Sequence, residues 1–186
     1  MKNDAFLALI CSFTPVIWLP TYLQERFGIS QEIAAATISK IYFSALVGSV
    51  ISALLVSRVG IQRFLVGVVI VGSVSVPAFT IAPSMDWVFV IASTFGIAIA
   101  ALYHSFMAWG LSYVEKPQYQ HVTFMYVCGG VGGTIAPYAS SKIVEWFDIA
   151  AVYYACTFLY LVILILMVTL HFFQRKPYSM DGLTQT

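Results

Sequence analysis

The stretch Thr123–Glu145, TFMYVCGGVGGTIAPYASSKIVE, decides the fold class of this chain. It carries four glycines within five positions and a proline one turn later: Gly129, Gly130, Gly132, Gly133 and Pro137. In water each glycine would weaken a helix by roughly 1 kcal/mol relative to alanine. In a bilayer the helix persists, because its backbone groups have no water to bond, and glycines then permit close helix contact or bending. The stretch predicts a membrane helix that packs against others.

Two functional interpretations of this helix stay open. Membrane helices interrupted by glycine and proline occur near the substrate sites of transporters. Gly129 and Gly133 also form a small-xxx-small pair, a pattern that by itself marks only a contact between helices. The first interpretation predicts a direct role in a substrate path, and the second predicts packing.

The composition indicates a polytopic membrane protein. The 186 residues are 60% hydrophobic and 9% charged, whereas soluble domains are about 25% charged. A net charge of +1 argues against nucleic-acid binding, which requires a basic face. The three cysteines lie inside apolar segments without metal-type spacing, so we predict neither a metal site nor a cofactor.

Apolar segments long enough to span a bilayer predict one all-α domain over residues 1–186. They cover about 5–23, 33–56, 64–82, 87–113, 123–144 and 149–173. Pro15 and Pro20 predict a kink or an unwound outer end in the first segment. Gly28 is expected to stop that helix, and Ser30 to cap the next one.

The basic residues predict the orientation of the six spans. Most of them fall on one side, which the positive-inside rule makes cytoplasmic together with both termini and the tail, 174–186. These residues are Lys2, Arg58, Arg63, Lys116, Arg175 and Lys176. Two copies of a three-helix unit are compatible with the loop lengths, but no residue-level similarity between the halves supports them.

Lys40 is the foremost candidate for a solute-binding residue. It lies about two turns inside the second span, on a face of polar or small residues that includes Thr37, Ser44 and Gly48. An ionisable group inside a membrane is costly and by default functional, so Lys40 would hold an anionic solute group or a proton-coupled carboxylate. Alternatively, Lys40 extends along its own stem toward the outer surface.

Other candidates are weaker, and enzyme signatures are absent. His104, near the middle of the fourth span, is suited to a proton relay or to a solute hydrogen bond, and equally to a bond with a neighbouring helix. Tyr42, Tyr103 and Tyr126 are possible cavity-lining aromatics. The chain contains no HExxH, GxSxG or phosphate-loop motif, so catalysis is not expected.

Three stretches together resemble the major facilitator superfamily. WLPTYLQERFGIS (18–30) resembles its seventh helix, and the glycine-rich segment followed by SSKIVE resembles its eleventh. SALLVSRVGIQR (52–63) resembles the G-x-x-x-D-R-x-G-x-R-R gating loop between the second and third helices of each half. Arg58, Gly60 and Arg63 match that pattern, whereas Ala53, Ser57 and Gln62 depart from it. More narrowly, the order of features is similar to the C-terminal half of TsgA-type transporters.

The resemblance implies half of a twelve-helix secondary transporter of the bacterial inner membrane. Such a transporter works by alternating access on a small solute, in some cases coupled to protons, with its site between the two halves. This chain would be one half, its partner would be an N-terminal six-helix half, and alone it should not transport. The chain would then be a fragment or a truncated form. The alternative is a free-standing six-helix membrane protein, either a homodimeric carrier or a scaffold subunit.

Overall fold

The computed structural model describes residues 2–112, 114 and 118–173, and side chains for 10–102, 104–112, 114 and 118–169. In these ranges the chain forms α1 (Lys2–Phe27), α2 (Gln31–Val59), α3 (Ile61–Ile81), α4 (Met85–Leu111), α5 (Tyr119–Trp146) and α6 (Ile149–Phe173). Each predicted span corresponds to one helix, so the all-α prediction is confirmed. At most ends the helix continues a few residues past the apolar segment, because polar terminal turns extend into the interface. The tail, 174–186, and Lys116 lie outside the described residues.

Hydropathy differs systematically among the six helices. Within the described part of the chain, four helices are long and apolar enough to cross a membrane. Their mean hydropathy is 1.7 for α2, 2.3 for α3, 1.9 for α4 and 2.4 for α6. The most apolar two of these, α3 and α6, pack against each other, and α1 packs on α5. The bundle therefore contains one strongly apolar pair of helices.

The helix ends follow the local sequence, with one correction. Of the two alternatives predicted for the first span, a kink or an unwound outer end, the unwound end is wrong, because α1 continues as a helix through Pro15 and Pro20 to Phe27. Proline is tolerated within a membrane helix where neighbouring groups satisfy the freed backbone. At this point α1 is also joined to α6, since the Tyr153 hydroxyl donates to the Pro15 carbonyl at 3.3 Å. Gly28 then ends the helix with φ of 63°.

The start of α2 has the predicted cap. Ser30 is extended, and its side chain accepts a hydrogen bond from the backbone N–H of Ile33 at 3.5 Å. A serine at this position satisfies one of the N–H groups that the first helical turn leaves unpaired. In the short loop after α1, Gly28 therefore ends one helix and Ser30 caps the next.

The helices pack in an internally repeated pattern. The principal pairs are α1 with α5, α2 with α4, and α3 with α6, while α3 also packs on α4 and α6 on α1. Exchanging α1–α3 with α4–α6 reproduces this set of contacts: α1–α5 becomes α2–α4, α3–α4 becomes α1–α6, and α3–α6 is unchanged. Because each unit crosses the membrane three times, the second unit is inverted relative to the first. This is the 3+3 inverted-repeat arrangement, which the sequence alone leaves open.

Glycines bring α2 and α4 into close contact. A Cβ on Gly48 would lie 2.6 Å from the Cα of Ile97, and one on Gly96 would overlap the carbonyl oxygen of Ile41. Both helices carry small residues at four-residue spacing here, a pattern that lets backbones approach. On α2 they are Ser44, Gly48 and Ser52, and on α4 they are Ala92, Gly96 and Ala100. The small face predicted for α2 is thus its contact with α4.

The turn between α2 and α3 depends on Gly60. This residue has φ of 85° and ψ of 143°, and its N–H donates to the Val56 carbonyl at 3.1 Å. Side chains other than hydrogen are strained in that backbone region. We expect Gly60→Ala to lower the free energy of unfolding by roughly 1–3 kcal/mol, measured by thermal unfolding in detergent. Gly67→Ala is the matched control, because a Cβ there meets nothing within 4 Å, and equal losses in the two variants would contradict the expectation.

Candidate functional site

One stripe of α5 is buried. It consists of Gly129, Gly132, Ala136 and Ser140, and it belongs to the helix that packs on α1. The indole Nε1 of Trp18 on α1 donates to the Ser140 hydroxyl at 2.8 Å. Packing therefore accounts for two of the four glycines. The pair actually buried is Gly129 with Gly132, rather than the predicted pair with Gly133, where a Cβ would meet nothing within 4 Å.

The exposed surface of α5 divides into two flanks of different chemistry. Both follow three- and four-residue spacing, so each forms a continuous strip along the helix. The polar flank of α5 consists of Thr123, Tyr126, Gly130, Thr134, Pro137 and Ser141. The apolar flank of α5 consists of Phe124, Val127, Val131, Ile135 and Tyr138. One exposed side of this helix suits water or a solute, and the other suits lipid.

The exposed surface of α2 divides in the same way. Its polar flank holds three hydroxyl groups and consists of Ala35, Ser39, Tyr42, Leu46, Ser49 and Ala53. Its apolar flank consists of Ala36, Lys40, Phe43, Val47, Ile51, Leu54 and Arg58. The structure thus separates two residues that the sequence grouped as candidates: Tyr42 lies on the polar flank and Lys40 on the apolar one.

The apolar flank of α2 carries two cations, Lys40 and Arg58. The Nζ of Lys40 is 4.4 Å from the centre of the Phe89 ring on α4, a cation–π distance. Arg58 lies 18 positions further along the same flank, which corresponds to about 27 Å of helix. That distance is close to the roughly 30 Å thickness of the hydrocarbon core. The placement fits the alternative in which Lys40 reaches the outer interface better than a position inside a cavity.

His104 lies in a crevice between α2 and α4. The crevice has a volume of about 370 Å³ and includes Ser49 and Ala53 from the polar flank of α2, with Ser105 beside the histidine. The imidazole Nδ1 is 3.4 Å from the carbonyl oxygen of Ala100, one turn earlier. The structure therefore places His104 near the same flank as Tyr42. The side chain of Tyr103 lies outside the described residues.

Arg26 has a structural role that the sequence did not indicate. Its guanidinium donates to the carbonyl oxygens of Phe79 at 3.0 Å, Ala82 at 2.9 Å and Thr80, and to the Tyr22 hydroxyl at 2.7 Å. These carbonyls belong to the C-terminal end of α3, where a helix leaves acceptors unpaired. Arg26 thus joins the C-terminal ends of α1 and α3. A basic residue in the last turn of α1 was the available signal, but its partners are distant in sequence.

The described residues contain no cluster of three or more His, Cys, Asp or Glu side chains that would hold a metal ion. Cys11 and Cys156 are buried, and the Cys11 thiol lies 3.8 Å from the Cys156 carbonyl oxygen. The polar flanks and the crevice at His104 offer hydrogen bonding by hydroxyl, imidazole and backbone groups. The polar flanks of α5 and α2 and the His104 crevice form the candidate site.

Comparison with known proteins agrees with the architecture. The family model described as Major Facilitator Superfamily matches residues 5–184, a range that includes nearly all of α1 and the whole of the other five helices. A comparison with curated proteins finds no match. Because the family model covers almost the entire chain, and the helices pack as a 3+3 repeat, this chain belongs to the major facilitator superfamily.

Proposed function

We propose that the chain is one six-helix half of a secondary transporter that moves a small solute by alternating access. Membership of the superfamily supports a transport function. The repeated contact pattern supports the identity of the six helices as one half, since each half of these transporters contains two inverted three-helix units. In such a carrier the solute binds between two halves that rock against each other, so each half supplies one wall of the path.

The observation that carries the proposal is the division of α5 into a polar and an apolar exposed flank. A helix surrounded by lipid gains nothing from an exposed strip of threonine, tyrosine, serine and glycine. A helix at the edge of a solute path needs such a strip on one side and apolar residues on the other. Accordingly, Tyr126 and Thr134 would contact solute or water, and Val127 and Val131 would contact lipid.

The position of α1 supports the same side of the bundle as the wall. On α1, three exposed residues lie along one strip: Phe13, Ile17 and Thr21. Because α1 packs against both α2 and α5, we place this strip between the polar flanks of those two helices. Tyr42, His104 and Tyr126 are then the solute-facing candidates.

The exposed glycines and proline of α5 suit a moving helix. Gly130 and Pro137 lie on the polar flank, and a Cβ on Gly130 would meet nothing within 4 Å. Glycine and proline permit bending of a membrane helix where neighbours compensate for the backbone. We propose that these positions let α5 bend as the path opens and closes. The C-terminal half of a TsgA-type transporter remains the narrower prediction.

The alternative is a free-standing six-helix protein, such as a homodimeric carrier. Both proposals expect the polar flanks to be covered, by a different half in one case and by a second copy in the other. The first test is an immunoblot of native membranes with an antibody to the QRKPYSM segment. A band at about twice the 20.5 kDa of this chain supports a polypeptide that contains both halves, as the two-half architecture requires.

Cross-linking distinguishes the partners if the band has the mass of this chain alone. Tyr126→Cys on the polar flank and Val127→Cys on the apolar flank form a matched pair, each in a Cys128→Ser background. A cross-link from position 126 to a different six-helix chain supports the transporter half. A product that contains only two copies of this chain supports the homodimer, and cross-linking from position 127 alone would overturn both.

A further inference from the structure

We infer that the groove between α2 and α3 is a binding site for one anionic phospholipid, drawn from the leaflet at the α2–α3 turn. This inference concerns the lipid-facing side of the bundle and does not depend on the proposed transport. The groove has a volume of about 270 Å³ and opens between the two helices over a floor formed by α4. Its walls are almost entirely apolar, including Ile51, Leu55 and Val71, with Ile97 on the floor.

Gly67, which has no side chain, leaves room for the groove. Arg63, Gly67 and Val71 follow each other at four-residue intervals along α3, and all three line it. They therefore form one wall about 12 Å long. A Cβ on Gly67 would meet nothing within 4 Å, so a gap remains between the two helices at that point. The space suits a section of a single acyl chain, which is narrow, apolar and flexible.

Charge at one end specifies the headgroup. Arg63 is exposed and lies in the first turn of α3, at the membrane-interface end of the groove. Arg58, also exposed, lies in the last turn of α2 on the other side of the Gly60 turn. A cation near the surface attracts anionic lipid by about 1 kcal/mol, and an arginine also donates paired hydrogen bonds to phosphate. The groove is apolar along its length and has arginines at one end. It therefore matches a phospholipid, which has both an acyl chain and an anionic headgroup, better than a free anion.

Native mass spectrometry of the full chain in detergent tests the site, with palmitoyl-oleoyl phosphatidylglycerol and phosphatidylcholine as probes. We expect one tightly held phosphatidylglycerol and weaker binding of phosphatidylcholine. Arg63→Gln should weaken phosphatidylglycerol binding about tenfold, to the level of phosphatidylcholine, because the loss of one charge-assisted contact is a factor of this size. Gly67→Leu should fill the groove and remove the tight binding of both lipids.

Two control variants test whether the effect is specific to the groove, and a soluble competitor tests whether the acyl chain is needed. Ala36→Leu enlarges an exposed apolar side chain at the other end of α2, outside the groove, and Lys40→Gln removes a cation there. Both variants should bind phosphatidylglycerol as the parent chain does. Glycerol 3-phosphate, which shares the headgroup anion without an acyl chain, should not displace the lipid. Unchanged lipid binding in Gly67→Leu and Arg63→Gln would overturn the site, and so would displacement by glycerol 3-phosphate.

Discussion

Alanine at Gly96 or at Gly48 is expected to destabilise the bundle by about 1–3 kcal/mol for each substitution. At Gly48 the new Cβ would lie 2.6 Å from the Cα and 2.9 Å from the carbonyl oxygen of Ile97. At Gly96 it would overlap the Ile41 carbonyl and approach the Ser44 Cβ to 3.0 Å. The obstructing atoms are mainly backbone, so relief requires α2 and α4 to move apart. Thermal unfolding in detergent measures the loss.

Gly130→Ala and Gly133→Ala are the controls for the α2–α4 contact. Both glycines lie within a helix, and a Cβ on either meets nothing within 4 Å. Because alanine favours a helix by up to about 1 kcal/mol over glycine, these variants should be neutral or slightly more stable. The sign of the change therefore distinguishes the two sets. If Gly48→Ala and Gly96→Ala are as stable as the controls, the backbones of α2 and α4 are not in close contact at these glycines.

Arg26→Ala is expected to cost roughly 2 kcal/mol or more, because it removes several charge-assisted hydrogen bonds at once. The loss leaves the carbonyls of Phe79, Thr80 and Ala82 without the guanidinium that joins α3 to α1. Arg26→Lys should recover only a minor part, since an ammonium group keeps the favourable charge at a helix C-terminus but lacks the planar fork of donors. The melting temperature in detergent and proteolysis of the loop after α1 both report the change.

Arg58→Ala provides the comparison for Arg26, because it removes the same side chain from the last turn of α2. A single exposed arginine usually contributes less than about 1 kcal/mol, so Arg58→Ala should melt close to the parent protein. If Arg26→Ala and Arg58→Ala shift the melting temperature equally, or if Arg26→Lys is fully stable, Arg26 does not act as a multidentate link between α1 and α3.

Composition and hydropathy were enough to predict six helices and their order. Apolar segments of spanning length, together with stops such as Gly28 and caps such as Ser30, specify local structure without knowledge of partners. The break between the second and third apolar segments, which contains Gly60, was predictable for the same reason. Local interactions determine all of these features, and they are visible in the sequence within a few positions.

Helix pairing and the orientation of each flank could not be predicted from hydropathy. In a bilayer the lipid is as apolar as another helix, so hydropathy does not specify which faces pack. Lys40 shows the consequence: its neighbours Thr37, Ser44 and Gly48 are buried, yet Lys40 itself is exposed beside Phe89. The four-residue spacing of Ala92, Gly96 and Ala100 was the signal for the α4 side of that contact. It becomes informative only when α2 is known to be the partner.

The proposed function requires that the polar flank of α5 line a water-filled solute path. Single cysteines at Tyr126 and Thr134, and at the lipid-side positions Val127 and Val131, test it most directly. The background carries Cys128→Ser and keeps Cys11 and Cys156, which are buried. In native membranes a membrane-impermeant methanethiosulfonate reagent should label positions 126 and 134 and leave 127 and 131 unmodified. Labelling of Val127→Cys and Val131→Cys as fast as that of Tyr126→Cys and Thr134→Cys would contradict the account.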